Sequence, residues 1–116
     1  MQKTLQDIVV EALEDVKAQK ITIMQVREVT DVTDTMIVAT GNTGRQVKAL
    51  ADNVVYEAKQ AGFMPIGMEG EEQAEWILVD LGDVVVHVMQ PQVREFYNLE
   101  KLWEIRPGDV ERRGEP

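Results

Sequence analysis

The sequence predicts an α/β fold: one domain, a sandwich of two or three layers around a mixed sheet, in the order α-β-β-α-β-β-β-α. Three observations carry that reading. Two long segments repeat apolar residues at helical spacing, several short apolar or alternating runs have strand length, and residues 76–89 have the pattern of a tight hairpin. At 116 residues the chain fits one domain.

The first helix is expected from Thr4 to Lys20. Thr4 and Asp7 resemble a capping box with Asp in place of Glu. Leu5, Ile8, Val9, Ala12, Leu13 and Val16 fall on one stripe, with Glu11, Glu14, Asp15 and Lys17 opposite. Lys20 to Val29 alternates in part, through Ile21 and Ile23, and reads as a strand. A short polar turn at Asp31 to Thr33 lets Thr35 to Gly41 return as a buried antiparallel strand. The second helix is expected from about Arg45 to Ala61, where Val47, Leu50, Ala51, Val54, Val55 and Ala58 keep helical spacing and Gly62 is the stop. Lys48 and Asp52 form an i,i+4 pair on its exposed side. Phe63 to Met68 is a short strand that Pro65 confines to an edge.

The hairpin Trp76 to Met89 organises the rest. A two-residue turn at Gly82-Asp83 places Leu81 opposite Val84, Val79 opposite Val86 and Ile77 opposite Val88, a face of six aliphatic side chains. That face is core. The other pairs Trp76 with Met89, Leu78 with His87 and Asp80 with Val85, and is apolar but edged with ionisable groups. If both long helices pack on the aliphatic side, the face bearing Trp76 is left open. Pro91 then offers a first helical position for Gln92 to Tyr97, and Leu99, Leu102 and Trp103 continue the spacing. The domain is expected to span residues 1–104, and residues 105–116, with no apolar periodicity, to form a flexible tail.

Composition narrows the function. Twenty-one acidic against twelve basic residues give a formal charge of −9, which opposes binding to a nucleic-acid backbone and favours a basic protein partner. From Glu69 to Asp83 the chain carries six carboxylates and no Lys or Arg, either a solvated loop or an acidic rim around the hairpin's outer face. With no cysteine, thiolate metal sites and disulfides are excluded, and with His87 as the one histidine, so is a histidine metal cluster. No signal-peptide core or membrane-length apolar run occurs, so a soluble cytoplasmic protein is expected.

Catalytic readings find little support. Gly41-Asn-Thr-Gly44 sits between a strand and a helix, where backbone amides hold phosphates, but it lacks the spacing and the lysine of a P-loop. Asn42 or Thr43 as an N-cap explains it. Asp34 stands apart from Asp80 and Asp83, so the converging carboxylates of a metal-dependent nucleotidyltransferase are missing. His87 with Asp80 has no Ser or Cys nucleophile beside it and reads as a structural ring or an interface contact. Trp76, following four acids in seven residues at the open end of its strand, reads as an interface anchor.

Trp76-Ile-Leu-Val-Asp-Leu-Gly-Asp-Val-Val-Val-His-Val-Met89, followed by Arg94-Glu-Phe-Tyr-Asn-Leu-Glu-Lys-Leu-Trp103, resembles the ribosomal silencing factor family, RsfS, also called Iojap-like. Asp34-Thr-Met-Ile-Val-Ala-Thr-Gly41, Arg45-Gln-Val-Lys-Ala-Leu-Ala-Asp52 and Glu69-Gly70 resemble it too. The resemblance implies a nucleotidyltransferase-like fold without catalytic carboxylates, no cofactor and no enzymatic activity. It further implies binding to the large ribosomal subunit through universal ribosomal protein number fourteen, a basic protein on the subunit-joining face. Docking there would block the small subunit and lower translation when nutrients are scarce. The register supplies the residues: Trp76, Leu78, Asp80, Val85, His87 and Met89 as contact face, Glu69, Glu71 and Asp83 as rim. Two readings from other classes compete, a nucleotide-binding remnant at Gly41 to Gly44 and a homodimer burying the Trp76 face when free of the ribosome.

Overall fold

The computed structural model describes residues 3–28 and 33–97. Its elements are α1 (Leu5–Asp15), β1 (Gln19–Gln25), β2 (Thr35–Thr40), α2 (Gly44–Gln60), β3 (Gly67–Glu69), β4 (Trp76–Asp80), β5 (Val84–Met89) and α3 (Pro91–Tyr97), in the expected order. The sheet runs β1-β2-β5-β4-β3. Only the central β2–β5 pair is parallel, so the sheet is mixed.

Helix ends account for the first departure from expectation. Thr4 caps α1 by accepting from the Asp7 amide at 3.1 Å. The helix stops at Asp15, short of Lys20, because Lys17 takes a left-handed φ of 67° and the amides of Lys17 and Ala18 turn back to Glu14 and Leu13. These are the paired bonds of a Schellman close, made here without glycine. The same close ends α2 with the expected residue: Gly62 has φ 95°, and the Gly62 and Phe63 amides bond Lys59 and Ala58.

The strands differ at their ends. β1 carries a bulge between Gln19 and Thr22, where Lys20 has φ 50°, which bends one sheet edge out of regular pairing. β3 is shorter than the expected Phe63 to Met68: it starts only at Gly67, after Pro65, runs to Glu69 and occupies the other edge. β1 ends at Gln25, with residues 26–28 described outside it, short of the expected end at Val29. Part of the Asp31 to Thr33 turn, the helical spacing through Leu99, Leu102 and Trp103, and the 105–116 tail lie outside the described residues.

The hairpin has the predicted register, Trp76 opposite Met89 through Asp80 opposite Val85. The Leu81 amide donates to the Val84 carbonyl at 2.9 Å, and Gly82 supplies the φ of 89°. Ile77, Val79, Leu81, Val84, Val86 and Val88 all join one buried cluster with Ile37 and Ala39 of β2, Val9, Ala12 and Leu13 of α1, and Val47, Leu50 and Val54 of α2. Both long helices therefore cover the same side of the sheet. Asn53 ties them by donating to the Ala12 carbonyl at 2.8 Å.

The side bearing Trp76 is not left open along its whole width. One residue, Gln90, separates β5 from α3, so α3 must fold straight back across the end of that face. Met24, Val26, Met36, Val38 and Met89 form a second, smaller buried cluster there, with Trp76 and Val93 of α3 packed against it. The molecule has three layers, the third short.

Candidate protein-docking site

Pleating puts Trp76, Leu78 and Asp80 of β4 on the outer side of the sheet, and the β4–β5 register sets Met89, His87 and Val85 beside them. Burial separates the two strands. Trp76, Leu78 and Asp80 are each half-buried, whereas Val85 and His87 are 6% exposed and Met89 is 0% exposed. Met89 therefore belongs to the small core and presents no surface to a partner, which corrects its assignment as a contact. Val85 and His87 offer little more. Their neighbours on β2, Met36 and Val38, and the packing that closes over the parallel pair leave β4 as the accessible strand.

Directional bonds hold this side together. The Trp76 indole Nε1 donates to His87 Nδ1 at 2.9 Å, and the two rings lie 5.8 Å apart. Accepting at Nδ1 keeps the imidazole neutral with its proton on Nε2. Burial acts in the same direction, lowering the His87 pKa to about 4. Arg94 of α3 reaches the antiparallel β1–β2 pair, donating to Thr40 Oγ1 of β2 at 2.7 Å and Thr22 Oγ1 of β1 at 2.9 Å. Its buried guanidinium pins the short helix to the sheet.

Around Trp76 the surface is aromatic. The Tyr97 ring lies 4.8 Å from the indole, and Phe96 meets Tyr97 edge-on at 5.0 Å. Phe96 is 80% exposed and Tyr97 55%. A cleft of about 260 Å³ opens between Trp76, Val93 and Tyr97 on one side and Gly70, Gln73 and Glu75 on the other. Gly70 is indispensable to it: at φ 91°, a Cβ there would sit 2.1 Å from the Trp76 carbonyl oxygen.

Carboxylates border the strip. Glu69 pairs opposite Leu78 on the edge strand, and Glu71 and Asp83 are exposed nearby in the chain. Asp80 has a structural duty as well, accepting from the Gly82 amide at 2.9 Å and so fixing the hairpin turn. Sequence reasoning missed Phe96, Tyr97 and Val93 as parts of this surface. The one-residue link after Met89 was the available signal, because it leaves α3 no other side to occupy.

The Gly41 to Gly44 turn is a helix cap. Thr43 Oγ1 accepts from the Gln46 amide at 3.1 Å, and Gln46 Oε1 accepts from the Asn42 amide at 2.7 Å, which satisfies two donors an anion would use. A Cβ at Gly41 would crowd Val47, lying 3.0 Å from its Cγ2 and from its amide nitrogen. Asp34 pairs with Arg27 at 3.3 Å, and no group of three potential metal ligands forms among the described residues. No helix among them is long and apolar enough to cross a membrane.

Comparison with known proteins agrees with this layout. The family described as "Ribosomal silencing factor during starvation" matches residues 1–115. The ribosomal silencing factor RsfS of Chromobacterium violaceum is 51% identical over 96 residues, covering 83% of this chain and 79% of that one. A crystal structure of a protein from the same organism superposes with a TM-score of 0.84 at 48% identity, covering 88% of each chain. A more distant relative is the mouse protein named "Mitochondrial assembly of ribosomal large subunit protein 1", 33% identical over 106 residues, which cover 89% of this chain and 46% of that protein. The fold, the hairpin register and the match over residues 1–115 together place this chain in the ribosomal silencing factor family.

Proposed function

We propose that this protein silences ribosomes by docking, as a monomer in the cytoplasm, on universal ribosomal protein number fourteen of the large subunit, so that the small subunit cannot join. The mechanism is occlusion, with no bond made or broken. The carrying observation is the outer strip of β4: an apolar, aromatic surface of Trp76, Leu78 and Tyr97, bordered over residues 69–83 by carboxylates and no cation. Such a surface complements a basic protein through both its apolar centre and its charged rim. The same negative charge repels ribosomal RNA and so restricts docking to sites where protein is uppermost. The name of the mouse relative supports the choice of the large subunit.

Within the strip, Trp76 and Leu78 are the contacts, Asp80, Glu69, Glu71 and Asp83 the rim, and Tyr97 and Phe96 an aromatic extension. Val85, His87 and Met89 act from behind. His87 fixes the indole and Met89 supports it, so their substitution should weaken docking by loosening Trp76.

Co-sedimentation of the purified chain with isolated large subunits, small subunits and assembled ribosomes tests the reading. Binding is expected to large subunits alone, with added protein lowering the yield of joined ribosomes. Trp76→Ala should weaken binding by about 2 kcal/mol, roughly thirtyfold, while the chain stays folded. Equal binding to small subunits, or an affinity unmoved by both Trp76→Ala and Leu78→Arg, would reject the strip as the docking site.

A further inference from the structure

Across the sheet from Trp76, a cleft of about 470 Å³ runs between α1 and α2. Ile8, Glu11, Ala12 and Asp15 line its α1 wall, at spacings i, i+3, i+4 and i+7, so they stand in two adjoining columns over two helical turns, roughly 10 Å. Ala12 is 1% exposed and belongs to the core beneath, so the apolar surface of this wall is the half-buried Ile8, beside an acidic column of Glu11 and Asp15. Opposite them stand Glu57 on α2 and Phe63, whose ring is 38% exposed at the end of the cleft. The Phe63 amide bonds the Ala58 carbonyl at 2.8 Å, which fixes the backbone that carries the ring.

The charges here are unbalanced. Among the described residues Lys3 is the one cation lining the cleft, and it is committed to Glu11 at 2.6 Å. Asp15 and Glu57 have no ion-pair partner among the described residues. The C-terminal end of α2 adds the negative pole of its dipole. A solvated face gains nothing from exposing Ile8 and Phe63, and an apolar ligand gains nothing from the carboxylates. Side by side they match a segment that is apolar along one stripe and cationic along the next. Nucleic acid, an anionic membrane and a second copy of a chain carrying −9 are all opposed by the same charge.

We propose that the α1–α2 cleft is a second docking site, which takes a basic amphipathic segment of a partner protein by seating a bulky apolar side chain on Ile8 and Phe63 and Lys or Arg against Asp15 and Glu57. It does not depend on what the β4 strip binds. Because the sheet separates the two surfaces, both can be occupied together, and the protein then joins its second partner to the first.

A fluorescent Leu/Lys peptide of about ten residues with segregated helical faces serves as probe, beside a scrambled peptide of equal composition. Anisotropy titrations use the full chain at physiological salt. One-to-one saturable binding is expected, weakened by about tenfold or more in both Phe63→Ser and the pair Asp15→Lys with Glu57→Lys. The charge-matched pair Glu28→Lys with Asp52→Lys, exposed and lining neither the cleft nor the β4 strip, should change it by less than about twofold. Equal loss in both lysine pairs, or equal binding of the scrambled peptide, overturns the proposal by reducing it to bulk charge. So does light scattering that finds a dimer which the cleft variants dissolve, since a second copy would then be the occupant.

Discussion

Ile77 and Leu78 are neighbours in the chain and face opposite sides of the sheet, and the two sides are built on different principles. The inner side is aliphatic throughout and lies beneath α1 and α2, with Ile77, Val79, Val86 and Val88 all fully buried. The outer side mixes Met, Thr, His, Arg and Trp and is held by named bonds: indole to imidazole, guanidinium to two hydroxyls. Non-directional packing secures the first, and directional bonding the second. Directional bonds leave room for a half-exposed strip at the margin, which a hydrophobic core of the inner kind would have to cover.

Breaking the inner side has the largest effect. Ile77→Ala should cost about 3–4 kcal/mol of unfolding free energy by urea titration, through lost burial and the cavity left behind. Acid is next, and acts on the outer side through the chain's single histidine. In the unfolded chain His87 takes a proton below its ordinary value of 6.5, but in the fold only below about 4. Its contribution is thus complete above pH 6.5 and is lost as pH falls from there to about 4, on the order of 3 kcal/mol. His87→Leu should flatten that part of the stability curve, and the same slope in both proteins would refute the assignment.

Arg94→Met removes the guanidinium from Thr40 and Thr22 and should cost about 2 kcal/mol, seen in the midpoint of thermal unfolding. Such a variant should also lose affinity for large subunits, because α3 carries Tyr97 against Trp76. Leu78→Ala is the smallest, about 1 kcal/mol, since its side chain is only half-buried. Its ratio to Ile77→Ala measures directly how unequal the two sides are.

The sequence was most readable where two periods agreed. Strand alternation in residues 76–89 and helical spacing in α1 and α2 point to the same interior, and the order of elements, the hairpin register and the inner core follow from them. The left-handed turn at Lys17 gave no such signal, because its support is distant in the chain: Gln46 Nε2 donates to the Val16 and Lys17 carbonyls, each at 3.2 Å. The outer side was half legible. Its residues were the right ones for one face, but Met89 is buried in a cluster with Val93 of α3, and Val85 and His87 lie beside Met36 and Val38 of β2, distant pairings that alternation alone does not encode.

The central pairing of the sheet sets the order in which the chain can assemble. Thr35 aligns with Val84, so β2 and β5 meet only after a loop of 49 residues closes, at an entropic cost of roughly 3 kcal/mol. Until then Val84-Val-Val-His-Val-Met89 waits as half of a local hairpin with its parallel edge unpaired, the kind of segment that nucleates aggregation. The carboxylates crowded into residues 69–83 stand immediately before it in the chain. Carboxylates so placed beside a β-rich apolar run oppose its pairing with a second copy by like-charge repulsion.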